Sequence, residues 1–254
     1  MLEAILWDVD GTLAESERDG HRVAFNRAFE ALDVPWRWSE TRYGELLAVA
    51  GGRERLLHDM HSQALAPPDG AQRAALAERI HRLKNERYAA IVATGALPLR
   101  AGVAELFEDC AAAGVRMAIV TTTSAANLAA LLGARLGTGW RSRFAAVVCA
   151  EQAPRKKPDP QVYLRALQAL RLRPDEVLAI EDAPAGVAAA RAAKVEVVAV
   201  RSFYFATAAV AGALAVGASL GSTHGWQPPA VTAPAGRIDL TQLIQWHQTA
   251  DRSG

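Results

Sequence analysis

The sequence is poor in the residues that mark several common classes of protein. Of its 254 residues only two, Cys110 and Cys149, are cysteines, and each lies within an apolar segment. So few argue against a disulfide framework or a cysteine-ligated metal site. Basic and acidic residues are nearly equal in number: the chain has 28 lysines and arginines and 27 acidic residues, which give a net charge of +1. A balanced chain has no general attraction to nucleic acids or anionic membranes, so we expect neither as a partner.

The chain also lacks a segment that would direct it to a membrane. No basic stretch precedes an apolar one near Met1, so no secretory signal is predicted. The segment Ser202–Thr223 carries no charge, but glycine, serine and threonine interrupt its apolar residues. Such a composition favours a packed helix and a short strand over a membrane span. We therefore expect a cytoplasmic protein, most simply a monomer.

What the sequence does contain is an alternation of apolar strands and helices. Five segments are predicted as strands: Ala4–Asp10, Val115–Thr121, Ala145–Glu151, Val177–Asp182 and Val195–Val200. Helical patterns accompany the later strands, at Val103–Ala113, Ala125–Leu136, Pro160–Leu170 and Gly186–Ala193. Continuous apolar strands alternating with helices indicate a doubly wound parallel sheet, so the predicted class is α/β.

One long segment after the first strand breaks this alternation. It is predicted as consecutive helices at His21–Leu32, Ser39–Ala48, Arg53–Gln63 and Ala71–Ala93. In the first, Phe25, Phe29 and Leu32 follow the spacing of one buried stripe. We interpret the block as a helical cap domain, residues 16–95, inserted into an α/β core of residues 1–15 and 96–225. Hinges are expected near Ala14–Ser16 and Gly95–Arg100. Residues 226–254 are predicted as a tail, with a linker at Trp226–Pro234 and a short helix at Leu240–Gln248.

Polar residues stand at the C-terminal ends of four predicted strands. They are Asp8 and Asp10, the run Thr121-Thr122-Thr123-Ser124, Lys157 in the segment after the third strand, and the pair Glu181-Asp182. Ligands of an open parallel sheet bind at this edge. Hydroxyl groups beside a helix N-terminus, a lysine and paired carboxylates together fit a phosphate monoester and a divalent cation. Taken singly, each motif is more often a helix cap or an exposed turn.

This set of residues resembles the four motifs of the haloacid dehalogenase superfamily, and the helical insertion is similar to its C1 cap. The resemblance implies that Asp8 is the nucleophile and forms a phosphoaspartate. It implies that Asp10 protonates the leaving oxygen and then activates water. Thr121 and the backbone N–H of Thr122 would hold the phosphoryl group, and Lys157 would bridge it and Asp8. Such a displacement needs an ionised nucleophile, a proton donor and cationic charge on the phosphoryl oxygens.

The same resemblance implies Mg2+ as the cofactor. Its ligands would be Asp8, the backbone carbonyl of Asp10 and Asp182, with Glu181 in support. Asp8 would then be ionised and metal-bound, whereas Asp10 would be protonated at the start of the cycle.

Specificity is expected from the cap. The order of an acidic residue, a Gly-Gly-basic-x-Arg turn and a Thr-Thr-Thr-Ser motif resembles the CbbY-type sugar phosphatases, some of which hydrolyse xylulose 1,5-bisphosphate. The resemblance implies a small phosphorylated sugar as substrate, and a second phosphate would explain the arginines. The expected substrate-binding residues are Glu17, His21, Tyr43, Gly51, Gly52, Arg53, Arg55, Thr121, Thr122, Thr123, Ser124 and Lys157, with Lys84 as a further candidate.

Other functions are compatible with these motifs. A phosphomutase of the β-phosphoglucomutase type would share the core and cap but return the phosphoryl group to sugar, and the choice depends on how the cap excludes water. A phosphoglycolate phosphatase is a third possibility. An inactive binding module is disfavoured because Asp8, Asp10, Lys157 and Asp182 are all present.

Overall fold

The computed structural model describes residues 1–63, 65–231 and 236–251. A single parallel sheet runs in the order β3-β2-β1-β4-β5-β6. Its strands are β1 (Ala4–Trp7), β2 (Arg116–Val120), β3 (Ala146–Val148), β4 (Val177–Glu181), β5 (Glu196–Val200) and β6 (Ala215–Gly217). The central strand β1 pairs with β2 and β4 on its two sides. The predicted α/β class with a parallel sheet is confirmed.

The helices of the described residues fall into three groups along the chain. The first follows β1 and comprises α1 (Arg22–Ala31), α2 (Glu40–Leu46), α3 (Gly52–Asp59) and α4 (Gly70–Ala93). The second flanks the sheet and comprises α5 (Val103–Ala113), α6 (Ala125–Leu136), α7 (Gln161–Leu170) and α8 (Pro184–Ala192). The last helix is α9 (Leu240–Asp251). None of the helices described here is long and apolar enough to cross a membrane.

Alternate side chains of β1 supply two separate hydrophobic cores. Ile5 and Trp7 pack into a cluster on one face of the sheet, and Ala4 and Leu6 pack into a cluster on the other. Such alternation is the geometric rule for a strand, and burial on both faces is typical of a parallel sheet. The end of β1, where Asp8 follows, is therefore held rigidly from both sides.

The inserted helices have a core of their own. Phe25 and Phe29 of α1 are fully buried in it together with Trp38, whose ring centroid lies 4.7 Å from that of Phe25. A π-helical turn, Glu17–His21, precedes α1 and brings His21 over the sheet edge. The predicted helix over His21–Leu32 is thus preceded by an extra turn. The exact division into core, cap and tail domains stays a prediction.

Three details differ from the sequence-based expectations. The strands are shorter than predicted, so Asp8, Asp10, Thr121 and Asp182 lie in the turns that follow them. The uncharged stretch Ser202–Thr223 contains a sixth strand and no helix within the described residues. The interpretation of Trp226 as part of a linker is wrong, because its side chain is 3% exposed and belongs to the main core. Residues 232–235 of that predicted linker, and residues 252–254 of the tail, lie outside the described residues.

Candidate active site

The first strand and the loop before α7 bring Asp8 and Lys157 together. Lys157 Nζ lies 2.6 Å from Asp8 Oδ1, 2.6 Å from Glu181 Oε1 and 2.9 Å from the carbonyl oxygen of Val120. Both partners are buried, with Lys157 7% and Asp8 6% exposed. Two carboxylates share one ammonium group, and the pKa of Lys157 is raised because the charges of Asp8 and Glu181 outweigh the opposing effect of burial.

Three buried carboxylates form a cluster beside this lysine. One oxygen from each of Asp8, Glu181 and Asp182 lies within 4.8 Å of the other two. Oxygen ligands of this kind are preferred by Mg2+. The carboxylate of Asp10 is not part of the cluster, and a ligand role for its backbone carbonyl stays a prediction.

The turn after β1 is shaped to receive Asp182. Gly11 has a φ of +89°, and a Cβ atom there would overlap the Asp182 carboxylate. Glycine is required for both reasons. Ser202 Oγ donates a 2.5 Å hydrogen bond to Asp182 Oδ2. The carboxylate of Asp182 is therefore fixed between two loops of the core.

Asp10 faces the cap, where it meets His21. His21 Nε2 lies 3.0 Å from Asp10 Oδ1, and Ser16 Oγ donates to the same oxygen at 2.5 Å. The His21 ring stacks on Tyr88 with 4.2 Å between ring centroids. His21 also lines the cleft, so its predicted role as a substrate ligand stays a prediction, and the structure adds its contact with Asp10.

The protein environment drives the pKa values of the two aspartates apart. Burial, assisted by Glu181, raises the pKa of Asp8 to about 7, against the opposing effect of Lys157. Burial acts in the same direction on Asp10, but His21, Ser16 and Lys84 outweigh it and lower the Asp10 pKa to about 2. The expectation of an ionised Asp8 and a protonated Asp10 refers to the cation-bound site and stays a prediction. That expectation placed a divalent cation on Asp8 and ignored His21, whose partner could not be read from the sequence.

The threonine run lies where the sequence places it, at the end of β2. The Thr121 side chain is buried and its Oγ1 accepts a hydrogen bond from the Thr123 N–H at 3.1 Å. Thr122, Thr123 and Ser124 line a cleft of about 240 Å³ between the sheet edge and the inserted helices. The Ser124 hydroxyl also accepts from the Asn127 N–H at 3.3 Å and so caps α6.

On the cap side, Glu17, Tyr43 and Arg55 form one network. The Tyr43 hydroxyl donates to Glu17 Oε2 at 2.5 Å and accepts from Arg55 Nη1 at 2.9 Å. Arg55 is only 6% exposed, and its Nε donates to the carbonyl oxygen of Leu46 at 3.1 Å. All three residues line the cleft. The buried guanidinium thus orients the acidic and phenolic groups as well as supplying charge.

A second group of cap residues lines the cleft from α4. Lys84 is 4% exposed and lies over the rings of Phe25 and Tyr88, 5.2 and 5.3 Å from their centroids. Burial lowers the pKa of Lys84 to about 8. His81 also lines the cleft and was not predicted from the sequence; burial and Lys84 lower its pKa to about 4. The signal was its position one helical turn before Lys84, on the same face.

The glycine pair forms the mouth of the cleft. Gly51 has a φ of +96°, and a Cβ there would overlap Lys156 Nζ and the carboxylate of Glu54. Lys156, in the loop before α7, and Glu54, on α3, form an ion pair with 2.7 Å between Nζ and Oε2. Arg53 also lines the cleft, is paired with Glu78 at 3.4 Å, and has a side chain that is 43% exposed.

Residues 2–194 match the haloacid dehalogenase-like hydrolase family. The chain belongs to this family. The four motif regions converge on one edge of the sheet. The chain is accordingly a phosphatase with the haloacid dehalogenase fold.

Relatives of this haloacid dehalogenase-like hydrolase include the CbbY proteins. The chain is 43% identical over 250 residues to the plasmid-encoded protein CbbY of Cupriavidus necator, covering 97% of both chains. It is 43% identical to protein CbbY of Rhodobacter capsulatus, covering 80% of this chain and 87% of the relative. A solved structure of a CbbY variant from Rhodobacter sphaeroides in complex with xylulose 1,5-bisphosphate is similar, with a TM-score of 0.81, 38% identity and coverage of 94% and 100%.

Proposed function

We propose that this phosphatase is a Mg2+-dependent hydrolase of a phosphorylated sugar, most simply a sugar bisphosphate such as xylulose 1,5-bisphosphate. The proposal rests on one observation: the opening at the carboxylates and the larger cleft share lining residues, so they are continuous. A second opening of about 100 Å³, lined by Asp8, Lys157 and Asp182, shares Glu17 and Arg55 with the larger cleft. When the transferred phosphoryl group lies at the carboxylates, the rest of the substrate would contact the cap.

The donor set supports a divalent cation. Carboxylate oxygens of Asp8 and Asp182 and the backbone carbonyl of Asp10 would hold Mg2+, with Glu181 close by. When bound, the cation supplies positive charge to the phosphoryl oxygens and favours the ionised form of Asp8. The pair Asp8 and Asp182 is well suited to this ligand, because a serine and a glycine turn already fix the second carboxylate.

The first chemical step belongs to Asp8. A carboxylate oxygen of Asp8 forms a bond to phosphorus while the bond from phosphorus to the sugar oxygen breaks, and the electron pair of that bond goes to the sugar oxygen. Asp10 donates the proton that this oxygen takes up. Lys157 Nζ, 2.6 Å from Asp8 Oδ1, stabilises the developing charge. The Thr121 hydroxyl and the Thr122 backbone N–H would hold the phosphoryl oxygens.

The second step releases phosphate from Asp8. The Asp10 carboxylate removes a proton from water, whose oxygen bonds to phosphorus as the bond from phosphorus to the Asp8 oxygen breaks. His21 Nε2 lies 3.0 Å from Asp10 Oδ1 and orients the Asp10 carboxylate for this step.

The composition of the cleft supports a substrate with two anionic groups. Lys84, Arg53 and Lys156 line the cleft in addition to Lys157 at the carboxylates. Glu17 and Tyr43 add hydrogen-bonding groups suited to sugar hydroxyls. The relative solved in complex with xylulose 1,5-bisphosphate supports the same substrate class.

Phosphate release with Mg2+ across a panel of esters tests the proposal. The panel contains xylulose 1,5-bisphosphate, ribulose 1,5-bisphosphate, β-glucose 1-phosphate and phosphoglycolate. We expect the highest kcat/KM for a pentulose bisphosphate, with one phosphate released per turnover. Conversion of β-glucose 1-phosphate to the 6-phosphate without stoichiometric phosphate release would instead identify a mutase. A preference for phosphoglycolate would contradict the sugar specificity.

A further inference from the structure

A single guanidinium group ties together the loops at the C-terminal edge of the sheet. Arg100 follows the inserted helices, and its side chain is 13% exposed. Its Nη1 donates to the carbonyl oxygens of Gly11 and Val200, the latter at 3.3 Å. Its Nη2 donates to the carbonyl oxygens of Arg201 and Ala218 at 2.6 and 3.0 Å. One side chain thus satisfies acceptors from three separate segments.

Two of these acceptors adjoin the groups that fix Asp182. Gly11 is the residue whose Cα packs against the Asp182 carboxylate, and its carbonyl accepts from Arg100. Arg201 directly precedes Ser202, whose hydroxyl donates to Asp182 Oδ2 at 2.5 Å. Arg100 therefore holds both loops that contact the Asp182 carboxylate, through its bonds to the carbonyl oxygens of Gly11 and Arg201.

The geometry requires the forked shape of arginine. Planar guanidinium presents N–H groups in a fixed fork, whereas lysine presents all its donors from one atom. A lysine at position 100 could serve the carbonyl of Gly11 or that of Arg201, and would leave the remaining carbonyls to water or unpaired. The backbone N–H of Arg100 also donates to the Leu13 carbonyl at 2.8 Å, so the position of the stem is set independently.

We infer that Arg100 is a positioning residue that sets the affinity of the Asp8–Asp182 site for a divalent cation, by holding the Gly11 and Ser202 loops against Asp182. The inference rests on the proposed function, because it requires that this site binds a cation. Groups that orient metal ligands commonly change metal affinity by about 10- to 100-fold. Arg100 acts one step further away, so we expect about tenfold.

Calorimetric titration of the whole protein with Mn2+ or Mg2+ at pH 8 tests this role without using turnover. The variants are Arg100→Lys and, if it folds, Arg100→Met. Arg116→Met is the matched control, because Arg116 Nη1 also donates to a backbone carbonyl, that of Leu170 at 3.1 Å, outside the cleft. We expect about tenfold weaker binding in Arg100→Lys and an unchanged Kd in Arg116→Met. Thermal unfolding of each variant reports any general loss of stability.

The outcomes separate this inference from the function on which it rests. Wild-type protein that binds neither cation would contradict the cation-dependent function and the inference together. A wild-type protein that binds the cation, with Arg100→Lys binding equally well, would overturn the role of Arg100 alone. Ser202→Ala should weaken binding through the same carboxylate. Because both changes act on Asp182, the loss in the double variant with Arg100→Lys should be smaller than the product of the two single losses.

Discussion

At the scale of single residues, the two aspartates of the first turn are a pair with opposite environments. Burial and the charge of Glu181 raise the pKa of Asp8 to about 7, against the opposing effect of Lys157. Asp10 faces His21, Ser16 and Lys84, and its pKa is about 2. Positions only two residues apart can differ so strongly because one side chain faces the sheet edge and the other faces the cap.

Cation affinity should fall as the pH is lowered from 8 to 6. A carboxyl group with a pKa near 7 binds a proton below that pH, and a metal ion must displace that proton. The pKa of Asp182 is likewise raised by burial and by Asp8. For each proton that the cation displaces, we expect the Kd for Mg2+ to rise by up to about tenfold for every pH unit by which the pH is lowered. Calorimetry from pH 6 to pH 8 measures it, and a Kd independent of pH would contradict the prediction.

Asp8→Asn should abolish turnover while the fold is retained. The amide cannot attack phosphorus, and the substitution leaves the volume nearly unchanged. Burial disfavours the charged form of Asp8. We therefore expect no large decrease in the free energy of unfolding when this carboxylate is replaced by an amide. Phosphate release and thermal unfolding measure the two effects. Asp8→Asn should also show a weaker pH dependence of cation binding than the wild type, since one titrating ligand is gone. Full activity in this variant would exclude Asp8 as the nucleophile.

The sequence predicted the residues of this site better than their partners. Asp8, Thr121, Lys157 and Asp182 could be found because each follows a strand, and parallel strands end at one edge. The contact of His21 with Asp10 depends on a π-helical turn that brings its ring over the edge. A helix of that kind leaves no periodic signal in the sequence.

At the scale of secondary-structure elements, helix α3 and the loop before α7 are joined by the ion pair between Glu54 and Lys156. Their side chains are 48% and 22% exposed, and the pair lies at the mouth of the cleft. The contact also needs the absence of a side chain at Gly51. Because one residue lies on α3 and the other in the loop before α7, their pairing links two sides of the cleft.

Neutralising this pair should raise KM modestly. We expect Glu54→Gln and Lys156→Met each to raise KM about two- to fivefold, because an exposed ion pair contributes about 0.4–1 kcal/mol. In the double variant the increase in KM should be smaller than the product of the two single increases. The increase in KM of each variant over the wild type should shrink in high salt, because salt screens an exposed ion pair. The matched control is Glu108→Gln, which removes an exposed 2.7 Å ion pair with Arg143 outside the cleft. Additive effects at low salt would show that the pair does not couple cap and core.

Helix limits were predicted well where the sequence carries a capping residue. Ser124 and Asp69 accept hydrogen bonds from the third residue after them, and α6 and α4 begin directly behind them. Strand β6 was harder to predict because Ala215–Gly217 is short and lies among alanines and glycines. Its strand character comes from pairing with β5 and from a bridge to Gln227, which are long-range contacts.

At the scale of the whole molecule, the C-terminal segment is part of the main core. Trp226 and Trp246 lie with ring centroids 5.0 Å apart, and both are nearly fully buried. Gly217 of β6 permits this, because a Cβ there would overlap the Trp226 ring. Arg237 anchors the segment with a two-bonded ion pair to Asp109 of α5, at 2.7 and 2.8 Å. Prolines near Trp226 suggested a linker because sequence composition does not report such long-range packing.

Trp246→Ala should therefore destabilise the whole protein. Truncating a buried tryptophan costs about 3–5 kcal/mol, through lost burial and the cavity that remains. Urea unfolding followed by circular dichroism measures the loss, and Trp246→Phe should recover a large part of it. Leu164→Ala is the surface control, because Leu164 is 47% exposed and its removal should change stability by less than about 0.5 kcal/mol. Because Trp246 does not line the cleft, the KM of the folded variant at low temperature should equal that of the wild type. A stability loss below about 1 kcal/mol would mean that α9 packs on the core without contributing to its cooperative unfolding.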